Sequence, residues 1–335
     1  MSDGVMVSVV MTLYNKGPFV EEAVRSILNS TFTGFELLVV DDASTDEGPE
    51  LIHALTDPRV RFLSHEVNTG RAAAANRGFL AARGSYIAIL DADDVAHPER
   101  LSKQVAYLEA HPEVGVVGCL AQQMGEGNKC SSSPPTDEGC RAKLLFGDPV
   151  LYQTSMFRRS LVTRHGARCD EAWRFPGMDY LFLLGLSRFT RYANLQEPLL
   201  LYRIGAQNMR HGRDPAQDRA RTYGPVFAYF GLSADPEHIT LQVMLHNQFL
   251  QPPTFGQVRR LRAWCDRLVQ WNRSAQEFPR EAFERIVEHR WQRVFHHLAD
   301  RSFWAAVSHL LIGPRSWASV QYLLRVSLRR WTGRR

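Results

Sequence analysis

The sequence has no apolar run of the roughly 18 residues that a membrane-spanning helix needs. Its start, MSDGVMVSVV, has no basic stretch ahead of the apolar residues and no cleavage signature. A spanning segment and a signal peptide are therefore not expected, and residues 5–12 read as a first strand. Cysteine is scarce: Cys119, Cys130, Cys140, Cys169 and Cys265 are odd in number and form no CxxC pair. That speaks against a disulfide frame or a zinc site and for reduced thiols in a cytoplasmic compartment. There is no GxGxxG in the first turn, no GxxxxGK[ST] and no HExxH, so a dinucleotide fold, a P-loop and a zincin site are not supported. No internal repeat is visible. Lysine is absent from Gly256 to Arg335, where sixteen arginines face six acids. This is a basic tail on an acidic body, with nucleic acid and an anionic membrane as candidate partners.

What is present is an alternation. The 335 residues, 44 % hydrophobic and 22 % charged, suit one large or two modest domains. Pro18 opens an amphipathic helix over 18–30, with Phe19, Val20, Ala23, Val24, Ile27 and Leu28 on one stripe. Strands are predicted over 35–40, 59–64, 85–90 and 114–120, separated by helices over 48–55, 70–83 and 98–110. Such spacing implies βαβ units and an α/β fold with a doubly wound, mostly parallel sheet. The stretch 121–139 is small and polar and reads as a loop or irregular hairpin. A strand running into a helix is expected over 151–162, a helix over 177–189, and helical structure beyond Asp214.

The polar clusters fall at strand ends, where open α/β sheets bind ligands. Strand one ends in TLYN (12–15), strand two in DDASTD (41–46) and the strand over 85–90 in DADD (91–94). Three carboxylates in four positions repel one another, and burying them unpaired is costly. A divalent cation resolves this. Hard oxygen ligands favour Mg²⁺ or Mn²⁺, bound through one or two carboxylates and the phosphates of a substrate. Without that ligand, Asp41, Asp42 and Asp46 would read as helix caps.

These stretches together, VSVVMTLYNKGPFVEEAVRSIL, FELLVVDDASTDEG, NTGRAAAANRG and YIAILDADDVAHPERL, resemble the N-terminal half of family 2 glycosyltransferases. The likeness covers about residues 5–120 and continues more faintly through YQTSMFRRS, GMDYLFLLGL and LLLYRIG. It implies a GT-A fold and inversion at the anomeric carbon in a single displacement. Residues 1–120 would form the nucleotide-sugar half, 121–213 the acceptor half of the same domain, and 214–335 a basic helical extension. By this resemblance Thr12 and Tyr14 line the base pocket, Asp42 accepts a hydrogen bond from the base, and Asn76 serves nucleotide binding. Asp91 lies near the ribose or the metal, Asp93 is the direct metal ligand, and Asp179 is the base that takes the acceptor proton. Trp173 and Phe175 could stack on an acceptor sugar or simply be core residues.

The sequence departs from the family at Met178, where an acid is common, and at Gly205, where a histidine is common; His211 is a candidate substitute. Arg71 could compensate for Ala75, which stands where an arginine is usual. The resulting expectation is a hexosyl- or N-acetylhexosaminyl-transferase. It would use a nucleotide-sugar donor, a UDP-sugar above others, and a glycan or lipid-linked acceptor of surface polysaccharide synthesis. Its rivals are a degenerate nucleotide-sugar or glycan-binding protein and a sugar nucleotidyltransferase. Nucleic-acid binding by the tail ranks below a peripheral membrane contact through 301–335 on the inner face of the membrane. Drawn as helices, that tail puts Phe303, Val307, Leu310 and Leu311 on one face, and Trp317, Val320, Leu324, Leu328 and Trp331 on another.

Overall fold

The computed structural model describes residues 4–206, 211–313 and 317–332. The chain forms two compact units, one ending at His211 and the other starting at Gly212.

The first unit runs β1 (Val7–Leu13), α1 (Gly17–Leu28), β2 (Phe35–Asp41), α2 (Gly48–His53), β3 (Val60–Ser64), α3 (Arg71–Ala81) and β4 (Tyr86–Asp91). It continues with β5 (Val95–Ala96), α4 (Arg100–Ala110), β6 (Val114–Gly125), α5 (Asp137–Lys143), β7 (Met156–Arg158), α6 (Ser160–Thr163), α7 (Met178–Leu186) and β8 (Arg191–Ile204). One eight-stranded sheet has the order β3-β2-β1-β4-β7-β6-β8-β5. β1 pairs in parallel with β2 and β4, β2 with β3, and β6 with β8. The short β7 is antiparallel to β4 and β6, and β5 is antiparallel to β8.

Strand alternation divides the core between the two faces of the sheet. Val7, Val9, Met11 and Leu13 of β1 pack in one cluster with Val20, Val24 and Ile27 of α1 and Leu101, Val105 and Leu108 of α4. Val10 faces the other way, into a cluster with Ala72, Ala75 and Phe79 of α3 and Phe182, Leu183 and Leu186 of α7. The alanine-rich sequence of α3 serves close approach: a β-carbon on Gly78 would lie 2.4 Å from Val10 Cγ1.

Two elements were not expected from sequence. β8 spans fourteen residues, RYANLQEPLLLYRI, although Pro198 cannot donate to a ladder. The proline lies at a register shift, opposite Leu120, where the ladder is already interrupted. The polar stretch after residue 120 also contains structure: β6 carries on to Gly125, and α5 starts at Asp137.

The second unit is helical, as expected: α8 (Pro215–Tyr229), α9 (Pro236–Met244), α10 (Phe255–Ala275), α11 (Arg280–Ala299), α12 (Phe303–Ile312) and α13 (Trp317–Thr332). Side-chain caps start several of them. Asp214 accepts from Ala216 N, Asp235 from Glu237 N and Ser302 from Ala305 N, and Thr254 with Gln257 forms a capping box. Among the described residues no helix is long and apolar enough to cross a membrane. Pro314 and the side chains of Trp317, Leu328 and Trp331 lie outside the described residues.

Candidate active site

Register brings the strand-end residues to one edge. Thr12 pairs with Asp91 across β1 and β4, and Leu13 pairs with Asp41 across β1 and β2. Beyond these ends the backbone turns sharply. Asn15 and Ala43 take left-handed conformations (φ 50° and 59°), uncommon for residues with a β-carbon. The two turns are stitched together: Asn15 N donates to Ser44 Oγ at 3.0 Å, and Thr45 N donates to Asn15 Oδ1 at 2.8 Å. Asp46 accepts from Gly17 N at 2.7 Å and Gly48 N at 3.1 Å, so it caps the starts of α1 and α2 together. Thr12 is half-buried and Tyr14 is exposed at this rim.

Asp42 is buried, and the segment after β3 is wrapped around it. Its Oδ1 accepts from Thr69 N and Thr69 Oγ1, both at 2.8 Å, and lies 3.0 Å from His65 Nδ1; its Oδ2 accepts from Gly70 N at 2.7 Å. Burial alone would raise this carboxyl's pKa, but the hydrogen bonds from His65, Thr69 and Gly70 outweigh it and hold the pKa below the ordinary value. A base bound here would share a carboxylate that is already fully engaged. Asn76 is similarly occupied: its amide donates to Cys169 O and Glu171 Oε1 and accepts from Cys169 N. It ties α3 to the loop that leads to α7.

The acid turn after β4 is the electrostatic centre. Asp91 accepts from Arg71 Nη2 at 3.1 Å, and Asp93 Oδ2 accepts from Lys16 Nζ at 2.7 Å. Burial raises the pKa of Asp91; Arg71 and Lys16 oppose that, while Asp93 and Asp179 add to it. Asp179 stands in the first turn of α7, after the left-handed Gly177, where the helix N-terminus favours negative charge. Burial disfavours the Arg71 guanidinium, but Asp91 and Asp179 outweigh that and push its pKa up. Thus Asp91, Asp93, Asp179, Lys16 and Arg71 share one field. Trp173 and Phe175, on the loop before α7, meet edge to face with centroids 5.8 Å apart; Phe175 is exposed and Trp173 half-buried. His211 is exposed.

Sequence reasoning missed the residues that hold the acid turn. Arg203 on β8 donates from its backbone N to Asp94 Oδ1 at 2.9 Å and from Nε to Asp93 O at 3.0 Å. Its guanidinium lies 4.9 Å from the Phe19 ring centre and bonds Glu22 at 2.5 Å. Arg100 is 1 % exposed and donates to Ile89 O at 2.7 Å and to Gln104. Asp94 is fully buried, and its Oδ2 has no hydrogen-bond partner among the described residues. Burial and the nearby Asp91 push its pKa up to about 8. The Tyr-Arg pair at 202–203 and an arginine in the buried first turn of α4 were the available signals.

Among the described residues, no three His, Cys, Asp or Glu side chains converge in metal-holding geometry. Asp93 and Asp91 nevertheless offer hard oxygens, and behind them the buried Asp94 Oδ2 has no hydrogen-bond partner among the described residues. That donor set fits Mg²⁺ or Mn²⁺ held by one or two carboxylates jointly with substrate phosphates, not a cage built by protein alone. A cavity of about 300 Å³ beside the Glu237–Arg260 ion pair of the helical unit includes none of these residues.

The model of the family "Glycosyl transferase family 2" matches residues 8–166. The uncharacterized glycosyltransferase MJ1057 of Methanocaldococcus jannaschii is 31 % identical over 209 residues, 60 % of this chain and 72 % of that protein. The succinoglycan biosynthesis protein ExoO of Rhizobium meliloti is 39 % identical over 189 residues, 53 % of this chain and 54 % of that protein. The chain thus spans between 54 % and 72 % of these relatives' lengths. Among solved structures, S. aureus TarS 1-349 in complex with UDP-GlcNAc is similar in fold (TM-score 0.60, 17 % identity, 98 % of this chain and 92 % of that one). So is the mannosyltransferase PcManGT of Pyrobaculum calidifontis in complex with GDP-Man and Mn²⁺ (TM-score 0.51, 17 % identity, 98 % and 88 %). A strand-end site of this composition, the matching family model and the extent of the MJ1057 match agree: the chain belongs to glycosyltransferase family 2.

Proposed function

We propose that this chain is an inverting, metal-dependent glycosyltransferase. It moves a hexosyl or N-acetylhexosaminyl group from a nucleotide-sugar, a UDP-sugar by preference, to a glycan or lipid-linked acceptor of surface polysaccharide synthesis. The observation that carries this reading is the shared field of Asp91, Asp93 and Asp179 with Arg71 and Lys16 at the carboxyl edge of β1 and β4. ExoO's name supports the polysaccharide role, and the UDP-GlcNAc and GDP-Man complexes of the structural neighbours support the donor class.

In this reading Thr12 and Tyr14 border the base, while Asp42 and Asn76 shape its pocket. Asp93, with Asp91 beside it, would hold Mg²⁺ or Mn²⁺, which when bound neutralises charge on the departing diphosphate. Lys16 and Arg71 are cations close enough to these carboxylates to meet the same phosphates. Asp179 takes the proton of the acceptor hydroxyl as that oxygen attacks the anomeric carbon from the face opposite the diphosphate. Trp173 and Phe175, just ahead of Asp179, offer apolar faces to the acceptor sugar. The unpaired cysteines fit a cytoplasmic site of action, and the arginine-rich, acid-free residues 301–335 fit a peripheral membrane contact.

The Lys16–Asp93 ion pair favours one second reading, a metal-independent nucleotide-sugar binder. Calorimetric titration of UDP and GDP with and without Mn²⁺ separates the two. Tighter binding with Mn²⁺ that Asp93→Asn abolishes supports the transferase; equal affinity with and without the ion supports the binder.

A further inference from the structure

α12 is oriented the wrong way round for a helix that meets only water and its own core. It buries Ala305, Ala306, Ser308 and His309, each no more than 6 % exposed, and turns large apolar side chains outward. Trp304 is 67 % exposed, Leu311 61 %, Phe303 40 % and Ile312 37 %. The inward side is fixed by polar contacts: Ser308 Oγ donates to Phe255 O at 3.1 Å, and His309 Nε2 donates to Trp291 O at 2.9 Å with its ring stacked on the Trp291 indole. At about 100° per residue, Phe303, Trp304, Val307 and Leu311 fall within roughly a third of the helix circumference. The sequence places Phe303, Val307, Leu310 and Leu311 on one face; in the structure Phe303 and Leu311 of that face are exposed, while Val307 and Leu310 are half-buried. On α13, Leu324 is 57 % exposed and the neighbouring Arg325 is exposed as well.

We infer that the outward face of α12 is a docking surface for an anionic lipid bilayer. Charge selects this occupant. Residues 301–335 hold seven arginines and no Asp or Glu, and the described Arg301 and Arg325 side chains are exposed. A second copy of the chain would bring a like-charged segment against it, whereas anionic headgroups complement it. The helix has ten residues, about 15 Å of length, too short to cross a bilayer and suited to lying in the interface. Trp304 and Phe303 are the residue types that settle at the headgroup boundary, with arginines extending toward phosphate. This deepens the membrane contact proposed above by naming its surface, and it does not require the transferase reading to hold.

The test is co-sedimentation of the full chain with phosphatidylcholine vesicles, alone or mixed with phosphatidylglycerol, without donor or acceptor. Wild type is compared with the double variant Trp304→Ser/Leu311→Ser and with Arg301→Gln/Arg325→Gln. Trp304 and Leu311 are mostly exposed, so thermal melting of the first variant should match wild type. Expected is binding that requires phosphatidylglycerol, falls about tenfold or more in the Ser variant, and loses part of its salt sensitivity in the Gln variant. Three results overturn the proposal: no binding to anionic vesicles; equal binding by wild type and the Ser variant; or vesicle-independent self-association that the Ser variant abolishes in light scattering. Single-stranded nucleic acid that binds more tightly than the anionic vesicles would also overturn it. Nucleoside diphosphate release, measured separately, reports on the transferase reading alone.

Discussion

Asp42 is the residue whose substitution is most informative about how the site is built. It is 3 % exposed and receives hydrogen bonds from three groups of one short segment: Thr69 N and Oγ1 at 2.8 Å and Gly70 N at 2.7 Å, with His65 Nδ1 at 3.0 Å. Asp42→Asn keeps the shape but has one acceptor oxygen. If that oxygen stays with Thr69, the new NH₂ faces the Gly70 N–H, so one bond is lost and the others become neutral. A hydrogen bond to a charged acceptor is worth about 1.5–3 kcal/mol, so the predicted loss is about 3 kcal/mol. Urea unfolding of wild type, Asp42→Asn, Thr69→Val and the double variant measures both the loss and the coupling between the two residues. The coupling should exceed about 0.5 kcal/mol, as for residues in contact. The pH dependence has a definite sign. Because the folded pKa is depressed, the Asp42 contribution is present above the unfolded value of about 3.9 and is lost as pH falls through the folded value. The gap between wild type and Asp42→Asn must therefore close in acid. A loss under about 1 kcal/mol, or a gap that persists in acid, would refute the reasoning. Unchanged stability with weakened uridine affinity would instead assign Asp42 to the base alone.

Asp179→Asn should retain nucleotide binding while turnover falls by about 10²–10⁴, the usual contribution of a general base; normal turnover would place the base elsewhere. Asp94 carries a folded pKa pushed up to about 8, so in metal-free protein its contribution is fully present in acid and is lost as pH rises from about 4 toward about 8. Asp94→Asn should melt higher than wild type at the alkaline end of that window and gain nothing at the acid end; a constant difference would contradict the burial argument. A β-carbon on Gly84 would stand 2.7 Å from Ser8 N and 2.8 Å from Met6 O. Both are backbone atoms that cannot rotate away, so Gly84→Ala should cost about 1–3 kcal/mol in urea unfolding, and a neutral result would mean that the β1–β4 entry is looser than described.

Much of this was legible because it is local. β1 to β4 are short apolar runs bounded by turn residues, and Pro18 and Gly84 mark helix boundaries. The acid clusters fall at strand ends by sequence position alone, so a candidate site could be named before any contact was known. What could not be read depends on partners far apart in the chain. Nothing in DDASTD says that Asp42 will be consumed by Thr69 and Gly70, or that Lys16 will reach Asp93 across 77 positions. Arg203 and Arg100 look like surface charges until β8 and α4 bring them to the acid turn. β8 itself is disguised by Pro198, which a register shift accommodates. The tail shows the converse: its periodicity defines a face, but only packing decides which face points inward, and on α12 small residues with Ser308 and His309 take the inside.

The central claim is that the acid turn after β4 works on a nucleotide-sugar with a divalent ion. The direct measurement is nucleoside diphosphate release over a panel of UDP- and GDP-sugars, with Mn²⁺, Mg²⁺ or EDTA, for wild type and Asp93→Asn. The account predicts release from at least one donor with the metal, none with EDTA, and near-complete loss in Asp93→Asn. Release that is unaffected by EDTA and by Asp93→Asn would contradict it.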